Sequence, residues 1–250
     1  MNEEIVYGKN AVRELLQSQR PLNKVLLQKE SSGQGTSDIL DALRERKIPY
    51  QFVERQALDR LTEKQNHQGI LAYVAPKEYA EVEDMLALAA QKQEDPCILL
   101  LDQVEDPHNL GAVIRTVNAV GAHGVIIPKR RSVALTGTVA KTSAGAVEHV
   151  LVARVSNLVQ TLKELKKAGC WIAGAEMDGQ DIFQTDLTGP RVVVVGGEGK
   201  GLGKLVRETC DELIRLPMRG EISSLNVSAA SSVILYEILR QRMTKQRPEG

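Results

Sequence analysis

Three polar segments of this sequence, each placed directly after an apolar run, carry the side chains best suited to chemistry. The first, residues 102–111, contains Asn109, the second, 196–203, is rich in glycine, and the third, 223–230, is rich in small polar residues. In a parallel α/β sheet, ligands bind beyond the carboxyl ends of the strands, where loops lead into helix N-termini. The sequence therefore predicts one site at which the three segments meet.

The third segment opens the longest apolar-periodic stretch of the chain, residues 227–243. A serine or asparagine ahead of such a stretch is typical of a helix N-cap, and the free N–H groups of a helix start also suit the polar edge of a ligand. A cap uses one such residue, whereas the segment offers Ser223, Ser224 and Asn226. The surplus favours ligand binding beside the cap.

The glycine-rich second segment lets the main chain approach a ligand closely, because glycine has no Cβ. Its spacing matches neither the phosphate-binding G-x-x-x-x-G-K-[ST] loop nor the dinucleotide-binding G-x-G-x-x-G pattern, so ATP or NAD bound in the usual ways is not expected. A nucleotide-like cofactor is compatible with the loop, and so is a tight turn without a ligand. Glu198 is well placed among exposed N–H groups to accept hydrogen bonds or to contact a substrate hydroxyl.

Asn109 and Arg115 are six residues apart where the first segment leads into a helix. At roughly 3.6 residues per turn, their side chains do not share one face of that helix. We expect Asn109 to cap the helix or order the loop, and Arg115 to project from the second turn into a cleft. The alternative for Arg115 is a surface ion pair with Glu105 or Asp106.

The order of apolar and polar stretches predicts an α/β protein with two units. Residues 1–75 alternate short strands with helices, which is typical of a small α/β domain. Residues 76–96 are acidic and alanine-rich, and we interpret them as a linker that carries one helix. From residue 97 onward, strands of the buried type alternate with helices as in a parallel sheet, so we place the second domain at 97–250.

Composition limits the classes of function. The 250 residues include 32 basic and 32 acidic side chains, so an RNA-binding surface must be local, with residues 129–131 (KRR) and the basic groups near both ends of the chain as candidates. An ordinary solvated face is the alternative for each. Three widely spaced cysteines favour core packing over a disulfide or a metal site. The polar N-terminus and the lack of a bilayer-length apolar run predict a soluble, cytoplasmic protein.

At these segments the sequence resembles the SpoU/TrmH branch of the SPOUT RNA methyltransferases, and within it the RlmB type of ribosomal-RNA ribose 2′-O-methyltransferase. The resemblance covers nearly the whole chain, including an N-terminal substrate-binding domain similar to ribosomal proteins of the L30e/L7Ae type. The stretches that carry it are 7–12 (YGKNAV), 67–69 (HQG), 106–116 (DPHNLGAVIRT), 194–202 (VVGGEGKGL), 216–220 (LPMRG) and 224–230 (SLNVSAA).

The resemblance implies a C-terminal domain with a parallel sheet and a deep trefoil knot, a homodimer, and S-adenosylmethionine as the cofactor, with no metal required. The cofactor contacts that it implies are at Gly196, Gly197, Gly201, Leu216 and Leu225. The catalytic and substrate-site positions that it implies are at Asn109, Arg115, Glu198, Ser224 and Asn226.

The reaction implied by the resemblance is an SN2 transfer of the cofactor methyl group to a ribose 2′-oxygen of RNA, with a guanosine of 23S ribosomal RNA as the expected target. The family gives the role of proton acceptor to the position of Arg115, although guanidinium stays protonated at all ordinary pH values. The alternative role is to bind a neighbouring phosphate and stabilise the developing alkoxide. Alternatives for the whole chain are a tRNA or antibiotic-resistance methyltransferase, a non-catalytic RNA-binding protein of ribosome assembly, and an unrelated nucleotide-dependent α/β enzyme.

Overall fold

The chain divides into two compact units, each made from two separate stretches. The computed structural model describes residues 3–18, 20–29, 36–197, 201–221 and 224–245. The first unit comprises Met1–Glu78 and Val133–His149, and the second comprises Tyr79–Ser132 and Val150–Gly250.

The first unit is a four-stranded sheet with helices packed around it. Its described elements are β1 (Glu4–Tyr7), α1 (Lys9–Gln17), β2 (Leu22–Gln28), α2 (Ser37–Glu45), β3 (Tyr50–Val53), α3 (Arg55–Leu61), β4 (Ile70–Val74) and α6 (Gly137–Thr142). The strand order is β1-β4-β2-β3, in which β2 and β3 are parallel and the other pairs are antiparallel. The sequence pattern did not predict β1, which has only four residues.

The domain boundaries predicted from the sequence differ from those of the structure, because residues 133–149 belong to the first unit. The helix α6 begins at Gly137, where a Cβ would overlap the carbonyl oxygen of Ile5, so the helix start lies directly against β1. Beside it, the hydroxyls of Tyr7 and Thr138 are 3.1 Å apart. A segment 60 residues beyond the expected boundary is thus recruited by close main-chain packing, which no local pattern reveals.

The first unit also contains a buried charged cluster. Arg20 lies between the carboxylates of Glu4 and Glu148, and its side chain is only 7% exposed. Lys77 donates a hydrogen bond to the carbonyl oxygen of Glu148. Burial raises the pKa of Glu4 and lowers the pKa of Lys77, because both groups are partly removed from water. The cluster ties the first residues of the unit to the segment that returns to it.

The second unit is built on a six-stranded sheet. Its described elements are α4 (Val82–Lys92), β5 (Cys97–Leu101), α5 (Pro107–Val120), β6 (Gly124–Pro128), β7 (Val152–Val155), α7 (Leu158–Lys167), β8 (Trp171–Asp181), β9 (Arg191–Val195), α8 (Lys204–Thr209), β10 (Glu212–Arg215) and α9 (Val227–Lys245). The strand order is β10-β8-β9-β5-β6-β7, and every pair is parallel. The predicted parallel sheet is therefore confirmed. In the described part of the chain, no helix has the length and apolar content that a membrane span requires.

The segment interpreted as a linker, residues 76–96, is largely part of the second unit. Its helix α4 begins after Glu81, whose N–H donates to the carboxylate of Asp84. Met85 on this helix is fully buried in the core, where it fills the space that a side chain at Gly124 would need. The acidic surface residues of α4 concealed this buried face, so the linker interpretation is wrong for residues 79–96.

The carboxyl ends of β5 and β9 lie side by side, because Leu101 pairs with Val195 in register. Both strands are entirely buried, as their continuous apolar runs predict. The loops that follow them, and the loop that follows β10, therefore leave the sheet along one edge.

At the opposite edge, His123 is buried and held in one tautomer. Its Nδ1 accepts the N–H of Cys97 at 2.9 Å, and its Nε2 lies 3.2 Å from a carboxylate oxygen of Glu94. Burial lowers the pKa of His123, and the nearby Glu94 opposes this effect only in part. A second proton would have to be placed on Nδ1, where it would break the bond to Cys97.

We expect the stability of the protein to depend on pH through His123. The unfolded state takes up a proton near the ordinary value of about 6.5, whereas the folded state takes it up only at lower pH. The free energy of unfolding therefore falls as the pH drops below about 6.5, by at most about 1.4 kcal/mol per pH unit for one group. Urea unfolding from pH 7.5 to 5.5 should show this slope in the wild type and a shallower one in His123→Asn. Parallel curves for the two proteins would exclude His123 as the cause.

Candidate active site

A cavity of about 390 Å³ lies at the carboxyl ends of β9 and β10 and beside the middle of β8. Its walls combine main chain from the glycine-rich loop with apolar side chains from the segment after β10. The predicted site residues that line it are Gly196, Gly197, Gly201, Leu216, Ser224 and Leu225. The structure thus gathers the second and third polar segments around one pocket.

The described part of the glycine-rich loop folds back on itself. Gly197 and Gly201 form an antiparallel bridge, and a Cβ on Gly196 would overlap the main chain of Gly201. Gly201 has a φ of +62°, a conformation that favours glycine. The glycines are therefore required by the closure of the loop itself, and that closure exposes main chain to the cavity.

Two carboxylates fix the far end of this loop. Glu176, in the middle of β8, accepts the N–H of Leu202 at 2.6 Å, and Asp102, directly after β5, accepts the N–H of Gly203 at 2.6 Å. Neither residue was predicted to belong to the site. A signal was present for Asp102, which is an acidic side chain at the end of a buried strand, but Glu176 lies in a stretch expected to be a loop.

We predict that Gly196→Ala weakens binding of S-adenosylmethionine, the cofactor that the resemblance implies, by roughly tenfold or more, because the loop must open to accommodate the alanine side chain. Isothermal titration with S-adenosylmethionine measures this, and the melting temperature reports whether the fold persists. Gly220→Ala is the matched control, since a Cβ there meets no atom within 4 Å. Equal affinities for the two variants would contradict the proposed role of the loop closure.

Asn226 connects the third segment to the first. Its side-chain oxygen accepts the N–H of Ser228 at 2.9 Å, so that it caps α9, and its side-chain NH₂ group donates to the side-chain oxygen of Asn109 at 3.0 Å. The cap fixes the orientation of the Asn226 amide. The same side chain therefore caps α9 and links it to the first polar segment.

The helix α5 begins differently from what the sequence suggested. Asp106 is its N-cap and accepts the N–H of His108 at 2.9 Å, with Pro107 in the first turn. Asn109 is therefore not the cap, and this expectation is wrong. It lies inside the first turn, largely buried, where its side chain reaches Asn226.

A second cavity of about 310 Å³ adjoins the first, because Gly197 and Val227 line both. Its remaining walls come from the loop after β5 and from Asn109. An apolar pocket beside exposed main chain and a polar pocket beside paired amides thus lie next to each other. The pair of cavities suits a larger ligand and a separate polar reactant.

Arg115 lies on the third turn of α5, which begins at Pro107, and is exposed. It lines neither cavity, and it forms no salt bridge with another described residue, so the surface ion pair considered from the sequence is not formed there. The next residue, Thr116, faces α9, where its hydroxyl is 2.8 Å from the hydroxyl of Ser232. Glu198 and Ser223 lie outside the described residues.

These features define a class, an α/β enzyme with its ligand site at the carboxyl edge of a parallel sheet. The chain belongs to the SpoU rRNA methylase family, whose model matches residues 96–236. A second model, for RNA 2′-O ribose methyltransferase substrate binding, matches residues 5–80. The protein is therefore a member of a family of S-adenosylmethionine-dependent RNA methyltransferases.

Known proteins resemble the chain over nearly its full length. The YacO protein of Bacillus subtilis strain 168, assigned to the TrmH family of tRNA/rRNA methyltransferases, is 47% identical over 240 residues, which are 96% of each chain. A TrmH-family relative from Staphylococcus aureus is 44% identical and covers 97% of this chain and 98% of its own.

Solved structures share the fold. The SpoU methyltransferase AviRb from Streptomyces viridochromogenes, crystallised in complex with S-adenosylmethionine, has a TM-score of 0.80 at 24% identity, over 97% of this chain and 91% of its own. An RNA 2′-O ribose methyltransferase has a TM-score of 0.80 at 25% identity, over 96% and 89%.

Proposed function

We propose that the protein transfers the methyl group of S-adenosylmethionine to a ribose 2′-hydroxyl of RNA, with a guanosine of 23S ribosomal RNA as its target. The observation that carries the proposal is the contact between Asn109 and Asn226, two residues 117 positions apart, at a polar pocket that adjoins the glycine-lined cavity. The match of residues 5–80 to a model for ribose methyltransferase substrate binding supports the ribose as acceptor.

The cavity fits the cofactor. Its volume of about 390 Å³ lies in the usual range for small-molecule sites. Leu216, Leu225 and Ile234 supply apolar walls for an adenine ring, and Gly196 and Gly201 bring main chain to the wall of the cavity. Bound there, S-adenosylmethionine would supply a methyl group on a positively charged sulfur.

The protein's own part in the reaction is to bind and orient the ribose. Ser224 lines the glycine-lined cavity, Asn109 lines the polar one, and Asn226 donates to Asn109. We assign these three side chains to the acceptor sugar, with Glu198 from the glycine-rich loop. Alignment of reacting atoms supplies much of the rate in such a displacement. The exclusion of water by the apolar walls would protect the donor.

Arg115 would act by its charge. Guanidinium is a poor proton acceptor, so we assign Arg115 to a phosphate beside the acceptor ribose and to the negative charge that develops on the 2′-oxygen. Proton acceptance by this residue is the alternative, and the two roles are separated by the pH profile described in the Discussion.

We further propose that the protein is a homodimer. Val233, Tyr236 and Met243 on α9 are 39%, 53% and 56% exposed, and their spacing places them on one face of the helix. This apolar face is a surface that a second copy would cover. Because Arg115 is exposed on the neighbouring helix and lines neither cavity of its own chain, we place it in the partner's site.

A heterodimer tests this placement. We expect Arg115→Ala and Asn226→Ala to be nearly inactive as homodimers, whereas a doubly tagged heterodimer of the two keeps one intact site and about half of the wild-type turnover. If Arg115 serves its own chain, both sites of the heterodimer are broken and it is inactive. A monomer in sedimentation analysis would refute the dimer itself.

The choice of RNA is tested by methyl transfer. Wild type and Asn226→Ala are incubated with labelled S-adenosylmethionine and with separated 23S rRNA, 16S rRNA and tRNA. The proposal predicts label in 23S rRNA for the wild type alone. Label in tRNA would select the second candidate function, a tRNA 2′-O-methyltransferase, which the naming of the relatives as tRNA/rRNA methyltransferases keeps open. Equal, background label with both proteins would indicate a non-catalytic RNA-binding protein.

Two finer features of the fold also belong to the proposal. We propose that the segment from β9 to α9 is threaded as a trefoil knot, which is supported by the meeting of the loops after β9 and β10 in one cavity. We propose that the first unit is of the L30e/L7Ae type. Its mixed four-stranded sheet supports that assignment.

A further inference from the structure

Three consecutive cations, Lys129, Arg130 and Arg131, form the loop that follows β6. All three are exposed, and their side chains form no hydrogen bond or salt bridge with another described residue. We call residues 129–131 the basic loop. In the same unit, Arg191, Arg207 and Lys166 are each paired with a carboxylate, whereas Arg115, which has no salt bridge to a described residue, is a single cation without a charged neighbour in the sequence. Charge that is left unpaired and concentrated in this way is available to an anionic ligand.

The basic loop is fixed in place by its main chain. The carbonyl oxygen of Arg131 accepts the N–H of Val104 at 3.1 Å, and Val104 forms a parallel bridge with Ser132. From the other side, Arg154 donates to the carbonyl oxygen of Lys129 at 3.1 Å. Val104 also lines the polar cavity. The basic loop is therefore attached directly to the wall of the candidate acceptor site.

The strand order of the sheet sets the distance between the basic loop and the candidate site. Strands β9, β5 and β6 are successive neighbours, and neighbouring strands are about 4.8 Å apart, so β6 ends about 10 Å from the strand that leads into the glycine-rich loop. This span corresponds to roughly two or three nucleotides at about 3.4 Å per nucleotide. A strand of RNA with its acceptor ribose at the polar cavity would pass over the basic loop.

We propose that Lys129, Arg130 and Arg131 bind the backbone phosphates of nucleotides that flank the methyl acceptor, an inference that rests on the proposed function. Two carboxylates, Glu105 and Asp106, lie in the adjoining loop. Asp106 is engaged as the cap of α5. The three cations outnumber the two carboxylates, so this part of the surface keeps a net positive charge. The loop fixes the position of the RNA strand and carries no information about base identity.

The test compares two double variants of the full-length protein. Lys129→Ser/Arg130→Ser removes two charges from the basic loop and leaves Arg131, whose φ of +61° constrains substitution. Lys163→Ser/Lys167→Ser removes two exposed charges from α7 and is the matched control. The substrate is the RNA that the wild type methylates. The measured quantities are KM for RNA, kcat, and the slope of log KM against log salt concentration.

We expect the basic-loop variant to raise KM about tenfold near physiological salt while kcat stays within about twofold, because phosphate contacts are equal in the ground and transition states. The slope of log KM against log salt concentration should fall by about 1.4 to 1.8, because each of the two lost phosphate contacts contributes about 0.7 to 0.9. The control should keep all three wild-type values. Affinity for S-adenosylmethionine should be unchanged in both variants, since none of these residues lines the cofactor cavity.

An unchanged KM and salt slope in the basic-loop variant would overturn the inference and leave the proposed function intact. A fall in kcat without a change in KM would also overturn it, because the loop would then act on the chemical step. An unchanged KM on naked RNA with weaker binding to protein-containing ribosomal particles would assign the loop to an acidic protein instead. Failure of the wild type to methylate any RNA refutes the proposed function itself.

Discussion

Arg115→Ala is expected to lower kcat by about a thousandfold. The removal of one group that stabilises charge in a transition state typically costs a factor of about 10²–10³, and Arg115 is assigned both a phosphate and the developing alkoxide. Affinity for S-adenosylmethionine should not change, because Arg115 is assigned to the RNA phosphate and the acceptor oxygen and not to the cofactor. Single-turnover methyl transfer at saturating RNA measures the effect without the contribution of product release.

Arg115→Lys separates the two roles considered for this residue. Lysine retains the charge but lacks the planar fork of guanidinium, so electrostatic stabilisation predicts a partial loss of kcat. A role as proton acceptor predicts a rate that rises steeply with pH as the lysine deprotonates. Full turnover in Arg115→Ala would show that the assignment of the site is wrong.

Arg20→Met is expected to destabilise the first unit by about 3–5 kcal/mol, the usual cost of removing one partner from a buried ion pair. The variant leaves the carboxylates of Glu4 and Glu148 facing each other, and the Glu148 side chain is only 2% exposed. Urea unfolding of the full-length protein, monitored by circular dichroism, measures the loss. The loss should be smaller near pH 5 than at pH 8, because the pKa of Glu4 is raised by burial and its protonation relieves the repulsion.

The matched control is Arg13→Met, which breaks a pair with Asp38 in the same unit. The two side chains of that pair are 31% and 53% exposed, and exposed pairs contribute about 1 kcal/mol or less. If Arg20→Met and Arg13→Met cost the same, the buried cluster does not hold the segment 133–149 to the unit.

Local patterns predicted the second unit well. The continuous apolar runs of β5 and β9 identified buried parallel strands, and the rule that ligands bind at their carboxyl ends led to the edge where the cavities lie. The cap of α9 was also predicted, because asparagine directly before an apolar-periodic stretch is a local signal.

The features that were missed depend on contacts between distant residues. The polar half of β8 has no alternation of apolar and polar residues, and it becomes a strand only because residues such as Gln180 pair with β10. The return of α6 to the first unit depends on the fit of Gly137 against Ile5. Asp102 and Glu176 become functional only when the glycine-rich loop folds back onto them.

The position of the transferred methyl group tests the account most directly. A free 2′-hydroxyl is needed for alkaline cleavage of RNA, so a 2′-O-methyl group leaves an alkali-stable dinucleotide. After methylation with labelled S-adenosylmethionine and alkaline hydrolysis of the RNA, we predict that the label is recovered in dinucleotides, and that Asn226→Ala yields almost none. Recovery of the label in mononucleotides would place the methyl group on a base and contradict the proposed acceptor.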